Sequence, residues 1–148
     1  MPQPPYVLLF EEVVPGARPL TILVDERGAV PFVSWKSNAV LRSLYRTASE
    51  ESMKLAGEFE SARMEKMQAY IGVRGAANSS QFADVPHEKM DLYQQHWWKQ
   101  VHTDVRVTKT KWVVLRYPTD SFAQAAGMST PAFEDFFFEV CTNRKSVV

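Results

Sequence analysis

Four short runs of β-branched, aromatic and aliphatic residues punctuate the chain. They are Tyr6-Val7-Leu8-Leu9-Phe10, Val30-Pro31-Phe32-Val33-Ser34-Trp35, Ala69-Tyr70-Ile71-Gly72-Val73 and Lys111-Trp112-Val113-Val114-Leu115-Arg116-Tyr117. Three are nearly continuous in apolar residues instead of alternating, the pattern of strands covered on both faces in a parallel sheet. The fourth stops at Pro118, which has no amide to offer a central strand.

Helical periodicity fills the gaps. Pro19 to Arg27 reads as a short helix closed by Gly28, with Pro15 and Pro19 limiting its length. Asn38 is placed to cap Ala39-Val40-Leu41-Arg42-Ser43-Leu44-Tyr45, and Ser49 to cap the helix that begins with Glu50 and Glu51. Along that second helix Met53, Ala56, Phe59 and Ala62 recur at steps of three, and Glu50–Lys54 and Glu60–Arg63 are spaced to pair outside. Gly57 is expected to break it in two. Pro86 opens a helix whose apolar face runs through Met90, Tyr93 and Trp97 to Val101, and Thr130-Pro131 opens one through Phe133, Phe136, Phe137 and Val140. Strands alternating with helices predict one α/β domain over residues 1–148: an open, mostly parallel sheet of about four strands with helices on both faces.

Composition narrows the partners. Lys plus Arg and Asp plus Glu each number 17, so no basic excess points to nucleic acid or an acidic membrane. The apolar runs are too short to cross a bilayer, and Met1-Pro2-Gln3-Pro4-Pro5 lacks a secretory signal pattern. A lone cysteine, Cys141, permits no internal disulfide and suits a reducing, cytoplasmic setting.

Residue chemistry alone names no catalytic and no metal site. His87-Glu88-Lys89-Met90-Asp91 comes close to a helical zinc motif but has Asp91 where a second histidine belongs, and an acid in a first helical turn needs no metal to explain it. His96 and His102 are six apart, on different sides of a regular helix. Gly72-Val73-Arg74-Gly75 lacks the full glycine spacing of a phosphate loop and reads as a strand-ending turn. Cys141 has no activating neighbour in sequence, so a buried or inert thiol is expected, and no G-x-S-x-G turn is present. His96-Trp97-Trp98 reads equally as packing or as an interface. Trp97, Trp98 and Phe137 are therefore candidate interface residues, and an α/β module that binds a protein through exposed aromatics is the alternative function. A nucleotide-binding role would rest on fold class alone.

Three stretches taken together carry a resemblance. Tyr70-Ile71-Gly72-Val73-Arg74-Gly75-Ala76-Ala77-Asn78 leads into Phe82-Ala83-Asp84-Val85-Pro86. Lys111 to Thr119, with Pro118-Thr119 at its end, comes next. Ala123-Gln124-Ala125-Ala126-Gly127-Met128-Ser129 is followed by Phe133-Glu134-Asp135-Phe136. In this order they resemble the amino-terminal half of the aminopeptidase T / aminopeptidase S family, the thermophilic metalloproteases. The preceding Ala62-Arg63-Met64-Glu65-Lys66-Met67 fits as well, and the resemblance is most specific from about Trp35 to Cys141. Arg74, Gly75, Asn78, Asp84, Pro118, Thr119, Gly127, Glu134 and Asp135 are the family-motif residues.

The resemblance implies a cytoplasmic, generally homodimeric exopeptidase that removes amino-terminal residues from peptides. Two divalent metals such as zinc or cobalt would be held by glutamates, histidines, a tyrosine and an aspartate of the carboxy-terminal half, beyond residue 148. On that reading the catalytic metal-binding domain is absent, this chain carries no cofactor, and peptide is a substrate only of the complete enzyme. Self-association is expected of the chain, with neither nucleic acid nor membrane as partner. Family members usually carry a helix before the first strand, whereas Tyr6 starts almost at once, and the tail Asn143 to Val148 departs from the usual continuation. The expectation is a truncated or frameshifted gene, or an isolated domain, without independent activity.

Overall fold

The computed structural model describes residues 4–12 and 24–142. Each of the four apolar runs forms a strand: β1 (Tyr6–Glu12), β2 (Val30–Lys36), β3 (Ala69–Arg74) and β4 (Lys111–Arg116). They make one sheet in the order β2-β1-β3-β4, with every neighbouring pair parallel. Parallel neighbours need crossovers long enough to hold a helix. The result is the open parallel α/β sheet that the alternation of patterns predicted.

The helices are α1 (Asn38–Arg46), α2 (Glu50–Met64), α3 (His87–Tyr93), α4 (Asp120–Ala125) and α5 (Thr130–Thr142). A π-helical segment, Gln94–Val107, continues directly from α3. One core unites Tyr45 of α1, Met53 and Met64 of α2, Tyr70 of β3, and Trp97, Val101 and Val105 of the π segment. These elements therefore cover the same face of the sheet. The β1–β2 connection precedes these elements in sequence. That connection includes most of the short helix expected from Pro19 to Arg27, and residues 13–23 lie outside the described residues. Its last turn is present at 24–26, closed by Gly28 with a φ of 75°.

Among the described side chains, coverage on both faces is seen at the centre of the sheet. In β3, Tyr70 and Val73 point to opposite sides and both are buried. The edges depart from the expectation: Trp35 of β2 and Val113 and Leu115 of β4 are exposed. A run of apolar residues does not distinguish a central strand from an edge one, since the difference lies in neighbours remote in sequence.

Local signals in α2 are partly as expected. Ser49 and Ser52 form a reciprocal capping box: Ser52 N donates to Ser49 Oγ at 3.1 Å and Ser49 N to Ser52 Oγ at 3.0 Å. Lys54 pairs with Glu50 at 2.5 Å and Arg63 with Glu60 at 2.6 Å. Gly57, however, does not break the helix, which runs unbroken through it. A Cβ at that position would stand 2.0 Å from the His96 carbonyl oxygen, so the glycine lets α2 and the π segment touch backbone to backbone. The buried line is accordingly Met53, Gly57 and Met64, and Phe59, expected inside, is 71% exposed. In α1 the cap position falls on Ser37, one residue before Asn38, and no side-chain bond is made there.

Candidate functional site

The chain steps from β1 outward to β2, then returns past β1 to β3 and on to β4. Sheets wound in two directions bind ligands beyond the carboxyl ends of their strands, where the winding reverses. Lys36 ends β2 and Arg74 ends β3, the two strands that flank β1. A cavity of about 310 Å³ opens here, between the sheet and the helical layer. Tyr45, Tyr70, Tyr93 and Trp97 line it with aromatic surface, and Lys36, Arg74, His102, Arg106 and Glu60 supply its charged and titratable groups. A second hollow of about 190 Å³ shares Lys36 and Asn38 with it and reaches Gly75 and Asn78.

The aromatic part is held by ring contacts. Tyr45 and Tyr93 have centroids 4.5 Å apart, and Trp97 stands edge-on to both, at 6.4 and 5.7 Å. Burial pushes the Tyr45, Tyr70 and Tyr93 hydroxyls above their ordinary pKa, so they act as neutral groups. The cations lie against these rings: the Lys36 ammonium is 4.8 Å from the Trp97 ring centre, and the Arg106 guanidinium 3.8 Å from that of Tyr70. Burial lowers the pKa of Lys36, with Glu60 opposing and Arg63 and Arg106 reinforcing the shift. The Arg106 pKa is lowered first by burial, with Arg74 adding to it.

His102 sits at the edge of this cluster. Arg106 Nη1 donates to its Nδ1 at 3.2 Å, since a guanidinium only donates, and its ring stacks on Trp98 at 4.6 Å. Burial, then Arg106 and Arg74, lower its pKa, so the ring is neutral with its proton on Nε2. Glu60, the carboxylate of the cavity lining, accepts from Arg63 at 2.6 Å. The arrangement suits holding an anion against an aromatic wall. It does not suit holding the metals of a peptidase: no group of three or more His, Cys, Asp or Glu side chains comes together among the described residues. His87 and Asp91 thus gain no further ligand there.

The family-motif residues divide into two sets. Arg74, Gly75 and Asn78 gather with Pro118 and Thr119 at the carboxyl end of the sheet. Tyr117 N donates to Arg74 O at 2.7 Å, and Thr119 Oγ1 and Ser121 Oγ donate to Ala76 O at 2.9 and 2.6 Å. Asn78 Oδ1 accepts from Ser80 N at 2.9 Å, closing a local turn. Asp84 accepts from Arg42 Nε at 2.7 Å, with Arg46 at 3.7 Å, and so ties the loop to α1. Gly127 carries a φ of 67° just after α4. Glu134 and Asp135 stand in α5 and do not line the cavity.

Of the three candidate interface aromatics, Trp97 is 8% exposed and belongs to the core. Trp98 is exposed beside His102, and Phe137 is half-buried between the exposed Phe136 and Phe138. Cys141 is exposed and not buried. Sequence reasoning placed Tyr45 only in a helix, named neither Lys36 nor Arg106, and took none of the three as a site residue. The available signal was the step of four from Trp98 to His102 to Arg106, which the π segment brings to the cavity beside the buried line of Trp97, Val101 and Val105. No helix among the described residues is long and apolar enough to cross a membrane.

An open parallel sheet wound in two directions, with an aromatic, cation-rimmed cavity at its carboxyl edge, defines an α/β protein of the doubly wound class. Residues 11–146 match the thermophilic metalloprotease (M29) family, and the chain belongs to that family. No curated protein matches the chain. Among solved structures it is similar to wild-type AmpT from Thermus thermophilus, with a TM-score of 0.63 and 16% identity. The likeness covers 92% of this chain and 37% of that one, so the chain spans well under half the length of AmpT. At that identity the likeness is one of fold.

Proposed function

We propose that this chain is the amino-terminal α/β domain of a metal-dependent aminopeptidase that releases amino-terminal residues from peptides, and that on its own it is catalytically silent. The observation that carries the reading is the family match across residues 11–146, set beside the lack of a three-ligand His, Cys, Asp or Glu group among the described residues. The metalloprotease family implies divalent metals in the complete enzyme. Paired ions, when bound, polarise a scissile carbonyl and acidify a water. The described residues offer them no cradle, so no step is assigned to this chain. Its part in the whole is to frame the cleft or to support assembly, as a cytoplasmic protein. Zinc or cobalt are the ions expected in that enzyme.

The reading also carries self-association. Val33, Trp35, Val113 and Leu115 alternate onto the sheet face opposite the shared core, and all four are exposed. Exposed apolar groups on one face favour a partner surface. Hydrolysis of amino-acid p-nitroanilides by the purified chain, with added cobalt or zinc, tests the silence. No turnover above the metal alone is expected; metal-dependent turnover abolished by chelator would refute it.

A further inference from the structure

We propose that the cavity between the sheet and the π segment is a binding site for a small oxyanion, a carboxylate or phosphate group, attached to an aromatic or apolar body. Arg74 and Arg106 are the two cations on which the anion rests. Both line the same cavity, and Arg106 lies 3.8 Å over the Tyr70 ring. Arg74 and Arg106 repel each other across the cavity, and an anion between them would relieve that repulsion. Glu60, the one carboxylate among the lining residues, also accepts from Arg63 at 2.6 Å, and the lining cations Lys36, Arg74 and Arg106 outnumber it. The Lys36 ammonium rests 4.8 Å from the centre of the Trp97 ring and is left out of the anion's ligands.

The second observation is an orphan donor. Arg106 Nε is buried with no acceptor, while Nη1 is spent on His102. A buried donor without an acceptor is costly, and native structures seldom keep one except where a ligand or water completes it. A guanidinium edge meets a carboxylate or phosphate oxygen in plane, so a shift of the Arg106 side chain that opens Nε to the cavity would give the anion its seat. The cavity, about 310 Å³, is the size of a small-molecule pocket, and its aromatic lining gives the rest of such a ligand an apolar surface. This inference concerns this chain's own residues and is independent of peptide hydrolysis.

Calorimetric titration of the full chain tests it with four probes: phenyl phosphate, N-acetylphenylalanine, its neutral amide, and inorganic phosphate. Either aromatic anion should bind, and the better of the two identifies the group. The neutral amide should bind more weakly by about tenfold or more, the loss of a hydrogen bond to charge. Arg74→Gln, at the exposed mouth, should weaken the anion by a similar factor, and Lys109→Gln, a surface charge paired with Glu65, should leave it unchanged. Arg106→Lys keeps the charge but loses the planar edge, and should weaken binding in chains that fold. Equal binding of acid and amide would overturn the proposal, as would equal losses in Arg74→Gln and Lys109→Gln. Inorganic phosphate binding as tightly as phenyl phosphate would overturn its aromatic half.

Discussion

At the scale of single residues, Gly57 makes the sharpest prediction. Exchanging glycine for alanine inside a helix usually stabilises it by about 1 kcal/mol. Here the new Cβ would fall 2.0 Å from a backbone oxygen of the π segment, which cannot swing aside as a side chain can. Overpacking wins. Gly57→Ala should destabilise the fold by about 1–3 kcal/mol in urea denaturation; a stabilised variant would mean the two helices are not in backbone contact. His102 gives the pH dependence. Its folded pKa lies below the ordinary 6.5, first because of burial and then because of Arg106 and Arg74. As pH falls through 6.5 the unfolded chain takes up a proton that the folded chain resists, so stability is lost toward acid and regained toward neutrality. Urea midpoints should drop from pH 7.5 to pH 5.5, and His102→Gln should flatten that slope. An unchanged slope in the variant would remove His102 from the account.

Elements differ in how they are buttressed. β1 and β3 each have two strand neighbours, while β2 and β4 have one. Amide exchange should therefore be slowest in β3, and β4 should exchange faster along its length; the reverse order, read by mass spectrometry, would contradict the sheet order. All four strands were legible in the sequence because β-branched and aromatic residues cluster where helical periodicity fails, as in Trp112-Val113-Val114. Caps were legible to within a residue, with Ser49 correct and Asn38 one place late, since a cap is set by local hydrogen bonding. What escaped was tertiary. Phe59 fits a step of three yet faces solvent, because the contact with the π segment is organised around Gly57 instead. The cavity escaped for the same reason: Lys36, Tyr45, Arg74 and Arg106 come from four separate elements, and no local pattern joins them.

Across the whole molecule, the family was legible from an ordered set of short motifs, and the match over residues 11–146 bears that resemblance out. Of the motif residues, Thr119 helps to hold the carboxyl end of the sheet together, bonded with its neighbour Ser121 to Ala76 O. Their spacing in sequence spoke to family membership before it spoke to any chemistry. The outer sheet face carries the next prediction. Trp35, 61% exposed, should drive concentration-dependent association in sedimentation, and Trp35→Ser should reduce it. A monomer at every concentration would leave that face without the assembly role proposed for it. The most direct test of the central claim is metal content: dialyse the chain against zinc or cobalt, remove the excess, and measure bound metal by plasma mass spectrometry. The account predicts far less than one ion per chain, whereas two tightly held ions per chain would contradict it.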